Sequence, residues 1–406
     1  MRGRSNPDQL EVESVDATWS RFRRSRRAIT RRAADSRARP LHVVTFGCEP
    51  FADAKPQALG LTYWFDAAAK GEPYRVTIRF DGRRKGVKAK PRPHDRFSVL
   101  ESVDQVVPGS GPVAMTARIF DVAPGEWHVT ATPVSGPHPR SATSRAVSTG
   151  RPTLPKASSS GTTLFAPVAR VRAPGARLGV WPALVGLGAT VALTVQALLA
   201  ARSHLPVARV LLLSLVASVV GLVGAKLYYL TGHYLGGRRP SLLTGGMCIQ
   251  GFVLGAIGTL VLGAQVTGMP AGPLLDVTAP GLLFGMTIGR FGCFFGGCCA
   301  GRPTASRWGL WSSDRCLGMR RVPTQLLESA VALLVGLAAL LAVRTTTPHP
   351  AGVVFVGAIA AYTLARQLLV PLRAGPRHTA HGRTLAMALA LLVLAVDIAL
   401  AALARQ

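Results

Sequence analysis

"VARVLLLSLVASVVGLVGAKLYYL", residues Val207 to Leu230, carries only two charged side chains, Arg209 and Lys226, and shows no polar stripe at helical spacing. A surface helix of a soluble protein shows such a stripe, whereas one that is apolar all round is buried in protein or crosses a membrane. Crossing takes about 20 residues, and this stretch is long enough. Cut at its charges and prolines, the chain from Leu178 onward yields further segments of the same kind: Leu178–Ala201, Gly245–Val266, Leu274–Phe295, Leu326–Val343, Val353–Leu372 and Thr384–Ala404. The fold class expected is a multipass α-helical membrane protein of seven transmembrane helices, residues 178–406, with the lipid bilayer as a partner.

The composition has two sides. Of 406 residues 49% are hydrophobic and mean hydropathy is +0.30, yet Lys and Arg outnumber Asp and Glu by 47 to 19. The two properties separate along the chain, because residues 1–177 are polar, basic and rich in Pro and Ser. Residues 1–40, with Arg21, Arg23, Arg24, Arg26, Arg27, Arg31 and Arg32, read as a disordered basic tail. Trp19 and Phe22 are the large anchors that a membrane-surface helix would use there instead. No apolar h-region of a signal peptide stands in Met1–Pro40. The arginines lack interleaved aromatics and any DNA-binding motif, so anionic lipid headgroups suit them better than nucleic acid.

From Leu41 the pattern changes to alternation. "YRVTIRF" (Tyr74–Phe80), "VAMTARIF" (Val113–Phe120) and "WHVTATPV" (Trp127–Val134) are apolar at every second position, with "DGRRKG" and "APGE" supplying turns. Residues 41–134 are therefore expected as a β-rich soluble domain, a small antiparallel sandwich of which the immunoglobulin-like form is one version. They carry a pattern of their own and are expected to fold independently, joined to the helices by a Pro-, Ser- and Arg-rich linker over 135–177. No catalytic constellation appears in this half.

In the apolar half, Gly245, Gly246, Gly251, Gly255 and Gly258 fall within one segment, and Gly281, Gly285 and Gly289 recur at every fourth position in another, a spacing that lets membrane helices approach closely. Ionisable groups are few: Lys226, Asp276, Arg290, Glu328, Arg366, Arg373 and Asp397. Within a membrane each is a functional candidate by default. Lys226 and Arg373 lie near helix ends, where long cationic side chains snorkel to the interface. Arg290 and Arg366 lie deeper. Arginines converging at a membrane surface suit a phosphate, because guanidinium offers forked donors matched to its oxygens.

"LLDVTAPGLLFGMTIGRFGCFFGGCCAGRPT" (Leu274–Thr304), followed by "WGL" (Trp308–Leu310) and "VPTQLLES" (Val322–Ser329), resembles the bacterial prolipoprotein diacylglyceryl transferase family. "GAKLYYL" (Gly224–Leu230), "GGMCIQGFVLG" (Gly245–Gly255) and "YTLARQLLVPLR" (Tyr362–Arg373) are similar to further segments of its pattern. The resemblance implies a multipass enzyme of the bacterial cytoplasmic membrane. It would move the diacylglyceryl group of phosphatidylglycerol onto the lipobox cysteine of a preprolipoprotein, forming a thioether and releasing glycerol phosphate. Arg290 and Arg366 are implied as catalytic. Arg290, Arg366, Arg373, Asp276, Gly289, Gly292, Gly301, Arg302, Gln325 and Glu328 are implied as substrate-binding. The nucleophile belongs to the substrate, and no cofactor is expected.

The chain departs from the family pattern at three places. Gln250 stands where the family's Gly-Gly helix carries a histidine, and an amide cannot take a proton near neutral pH. His233, just before that helix, is the substitute base to consider. Cys293 replaces an asparagine and Cys298 an acidic residue, marking a divergent member with a Gly-Cys-Cys motif. The spacing of Cys293, Cys298, Cys299 and Cys316 is not that of a zinc ribbon, so packing or a disulfide is expected and no metal. Three readings follow: an active transferase, a relative that binds phospholipid or precursor without transfer, and a cysteine-based redox or metal protein. Positive charge concentrates on the side of the soluble half, which positive-inside reasoning makes cytoplasmic. The resemblance places the corresponding loops outside.

Overall fold

The computed structural model describes residues 40–45, 54–88, 90, 92–134, 154–235, 247–345, 350–375 and 381–404. The basic tail expected over residues 1–40, except Pro40, and Gly245–Gly246 lie outside these. The chain divides into two compact units, 1–178 with 302–322, and 179–301 with 323–406.

The first unit holds two antiparallel sheets. One contains β1 (Leu41–Val43), β2 (Gln57–Asp66), β5 (Pro112–Ile119), β9 (Leu310–Ser313) and β10 (Leu317–Arg321) in the order β1-β2-β5-β10-β9, with β8 (Leu164–Phe165) also pairing with β2. The other runs β4-β3-β6-β7, from β4 (Arg96–Val106), β3 (Tyr74–Arg84), β6 (Glu126–Pro133) and β7 (Ala157–Thr162). Alternation decides which faces meet. Val76, Ile78 and Phe80 of β3 and Trp127 and Val129 of β6 share one core with Leu59, Leu61 and Tyr63 of β2 and Val113 and Met115 of β5. Burial alone pushes the Tyr63 phenol up to about 12, and its hydroxyl donates to the Pro155 carbonyl at 2.6 Å.

Two expectations need correction. Residues 135–153 lie outside the described residues, but the rest of the expected linker is structured: β7, β8 and a short helix, Ala166–Val171. β7 reads "ASSSGT" with alternating half-exposed and exposed residues, so an edge strand made of small polar residues gave no apolar signal. Residues 302–322, included in the expected membrane region 178–406, are also part of the sandwich. β9 and β10 form a hairpin whose Leu317 and Gly318 pair with Met115 and Ala114 of β5. Trp311 stacks on Trp64 at 5.6 Å between centroids, and its indole N–H donates to the Pro112 carbonyl at 2.9 Å. Met319 is fully buried in the sandwich core, and a side chain of that size contributes about 1.5–3 kcal/mol on burial. Arg321 is 1% exposed and held by Asp314 at 2.6 Å.

The second unit has the seven membrane-length helices: α1 (Val180–Arg202), α2 (Val207–Leu235), α3 (Ile249–Val266), α4 (Ala271–Gly296), α5 (Thr324–Thr345), α6 (Val353–Leu369, continued as a 3-10 turn to Leu372) and α7 (Gly382–Leu403). α4 is central and touches α1, α3, α5 and α6, whereas α7 packs on α6 and is the least buried. Small residues set these contacts. The site where a Cβ would stand on Gly285 is 2.8 Å from the Gly188 oxygen on α1, and that on Gly224 is 2.6 Å from the Gly251 oxygen on α3, so any side chain would force the helices apart. Gly281 sits in the same way against Ala192.

Four helices separate the N-terminal strands from the hairpin that pairs with them. An even number of crossings returns the chain to its starting side, so the pairing agrees with four membrane spans before Arg302. The ends of α2, α4 and α6 and the starts of α3 and α5 then share one side of the membrane.

Candidate active site

α4 brings Arg290 to that side, two turns before the helix ends. Arg290 Nη2 lies 2.9 Å from Glu328 Oε2 on the first turns of α5, and donates at 3.4 Å to the hydroxyl of Tyr362 on α6. Arg373 Nη1 approaches the other oxygen of Glu328 at 3.6 Å. Glu328 is 1% exposed. Neither of its oxygens has an aligned hydrogen bond, so these contacts are ion pairs of loose geometry. Arg366 follows Tyr362 by one helical turn and shares its face, and its Nε is buried without a hydrogen-bond partner among the described residues. Two guanidiniums thus meet one carboxylate, with a third one turn along α6 from Tyr362, and the excess positive charge suits a bound anion.

The backbone braces this cluster. Arg373 is placed by a bridge to Gly301, and the Ala374 N–H donates to the Ala300 carbonyl at 3.0 Å. Gln325 donates from Nε2 to the Cys298 carbonyl at 2.9 Å, and Thr324 from Oγ1 to the Cys299 carbonyl at 3.3 Å. Gln325 and Gly301, both expected to bind substrate, also brace the loop after α4. Gly289 has nothing within 4 Å of its missing Cβ, which leaves room beside Arg290, while Gly292 is packed against Trp181 of α1. Gly292 is a packing residue.

Other expected site residues fall elsewhere. Asp276 is 14 residues before Arg290, about 21 Å along the helix, at the opposite end of α4. Its carboxylate accepts the backbone N–H groups of Gly352 at 2.7 Å and Phe355 at 2.9 Å, capping the start of α6. Arg302 belongs to the sandwich unit, where its carbonyl accepts the Val322 N–H. Gln250 is exposed at the start of α3 and accepts from the Cys248 thiol at 2.6 Å. His233, near the end of α2, donates from Nδ1 to the Tyr229 carbonyl at 2.9 Å, which leaves Nε2 as the basic nitrogen. Neither has a described contact with the arginines.

Two features went unassigned in the sequence. Tyr362 is one, although its spacing of four from Arg366 was visible. The other is the closeness of three cysteines expected to pack or form a disulfide: the sulfurs of Cys293, Cys298 and Cys299, all free thiols, lie within 4.8 Å of one another. Cys316 is not with them, since it sits in the sandwich, 3.6 Å from Arg118 Nη1.

The family model for prolipoprotein diacylglyceryl transferase matches residues 171–403, more than half of the chain. The phosphatidylglycerol–prolipoprotein diacylglyceryl transferase of Chloroflexus aggregans is 37% identical over 97 residues, 23% of this chain and 32% of that protein. That of Dehalococcoides mccartyi is 32% identical over 126 residues, 29% of this chain and 48% of the relative. For Geobacter sulfurreducens the figures are 35% over 153 residues, 37% and 57%. The chain thus spans between about a third and somewhat over half of the length of these relatives. With seven membrane-length helices and an arginine cluster at the end of the central one, and with a family model matching from just before the first helix to the end of the last, the chain belongs to the prolipoprotein diacylglyceryl transferase family.

Proposed function

We propose that the protein transfers the diacylglyceryl group of phosphatidylglycerol to the lipobox cysteine of a preprolipoprotein in the bacterial cytoplasmic membrane. The observation that carries this reading is the pairing of Arg290 and Arg373 with one buried glutamate, beside the helix that carries Tyr362 and Arg366. A thiolate must attack a glyceryl carbon while a phosphate ester leaves, so the barrier falls with fixed positive charge on the leaving phosphate. Both described contacts of Arg290 use Nη2, which leaves its remaining donors for phosphate oxygens. Glu328 pairs with both Arg290 and Arg373, and the open space at Gly289 admits the headgroup. Purified full-length protein in vesicles of phosphatidylglycerol, given a lipobox peptide, should add one diacylglyceryl mass to the peptide cysteine. No mass gain, with phosphatidylglycerol still bound, would favour the second reading, a phospholipid-binding relative without transfer. That second reading rests on Gln250, whose amide cannot act as the base.

A further inference from the structure

The three thiols are brought together by backbone geometry that spacing alone does not reveal. Gly297, at φ 69°, ends α4 in the left-handed conformation, and the Gly297 and Cys298 N–H groups both return to the Cys293 carbonyl. Cys299 is itself left-handed, at φ 55°, an uncommon conformation for a residue with a side chain. The consequence is that two adjacent cysteines fold back on a third one turn earlier. All three are free thiols, and the loop that carries them is tied down by Gln325, Thr324 and Ala374. Zinc binds thiolate at about 2.3 Å, and a tetrahedron of that size separates its sulfurs by about 3.8 Å. Sulfurs within 4.8 Å need to close by no more than about 1 Å, a rotamer-scale adjustment. Three thiolates around a divalent cation leave one net negative charge, and Arg290 and Arg373 stand within electrostatic reach to balance it.

We propose that Cys293, Cys298 and Cys299 bind a thiophilic divalent cation of the zinc class, whose open fourth position takes the acceptor thiol as a thiolate. This rests on the transfer reading, and it supplies the step that Gln250 cannot. A thiol that coordinates such a cation is deprotonated outright, its proton passing to water. The sulfur then attacks the glyceryl carbon, the carbon–oxygen bond to phosphate breaks, and the electron pair leaves on the phosphate oxygen beside Arg290. The thioether formed is a neutral and weaker ligand, so it departs. Nothing is oxidised or reduced.

The test uses the full chain, purified anaerobically in detergent, with Cys48, Cys248 and Cys316 changed to serine so that only the cluster remains. Serine at 248 keeps a donor for Gln250. Titration with Co2+ should show thiolate-to-cobalt charge transfer saturating at one equivalent, and Zn2+ should displace it at the same stoichiometry. Cys293→Ser, Cys298→Ser and Cys299→Ser should each weaken binding at least tenfold. Should a buried-side variant fail to fold, the exposed Cys299→Ser carries the comparison. A lipobox peptide should shift the cobalt spectrum, and the same peptide with serine for its cysteine should not. Absence of the charge-transfer band, or a disulfide within the cluster in the anaerobic protein, overturns the proposal. Transfer that continues undiminished after chelation overturns the metal's role and leaves the transferase reading standing. A peptide-induced shift without transfer in any metal state supports the site and overturns the transferase reading.

Discussion

Because Glu328 is 1% exposed and only 2.9 Å from Arg290, truncating the arginine strips a buried carboxylate of its nearer partner. Breaking a buried ion pair on one side costs about 3–5 kcal/mol. Arg290→Ala therefore tests the fold as much as the chemistry, and it should lower Tm markedly in detergent. Arg290→Lys separates the two: the charge stays for Glu328, but the fork for a phosphate is lost. Its Tm should stay close to that of the parent while diacylglyceryl transfer falls by roughly tenfold or more. Full transfer in Arg290→Lys would remove the fork from the account. At this scale the arginines were legible in the sequence, because charge inside an apolar run is costly and stands out. Asp276 stood out for the same reason, but its partners are backbone N–H groups 76 and 79 residues away, which no local pattern shows.

Among the helices, the contact between α1 and α4 is made by residues without side chains. Gly285 faces the Gly188 backbone, whereas Gly289, one turn further on, faces open space. The two positions look alike in sequence. Spacing identifies a helix face but does not say at which of its turns a neighbour is in contact, and α1 meets α4 again at Gly292, beyond Gly289. Gly285→Leu should wedge α1 away from α4, at a cost of at least the about 1–3 kcal/mol typical of overpacking. Gly289→Leu should leave Tm nearly unchanged and instead fill the space beside Arg290, weakening phosphatidylglycerol binding severalfold. Thermal unfolding of both variants, with lipid binding measured on each, checks the contrast. Equal stability losses would mean that both glycines are packing residues.

For the whole molecule, the decisive feature is that residues 302–322, which join α4 to α5, belong to the sandwich formed by residues before α1. The alternating strands between Tyr74 and Val134 were legible because apolar residues at every second position leave a clear trace. The hairpin was not, since its main anchors are the half-buried Trp311 and the buried Met319, and their partners on β2 and β5 lie some 200 residues earlier. An independent domain over 41–134 is therefore the wrong unit to isolate. A fragment of residues 40–178 lacks β9 and β10, which leaves Met115 and Ala114 of β5 paired on the β2 side alone and removes Met319 from the core. Exposing β5 as a new edge also invites aggregation. We expect that fragment to unfold in urea with a low midpoint or without a cooperative transition. The same fragment extended by a flexible linker into residues 302–322 should unfold in one steep step, because the missing strand pair and its buried methionine are restored. If residues 40–178 alone unfold as cooperatively as the extended fragment, with the same midpoint, then the hairpin is an accessory to the sandwich and not one of its structural strands.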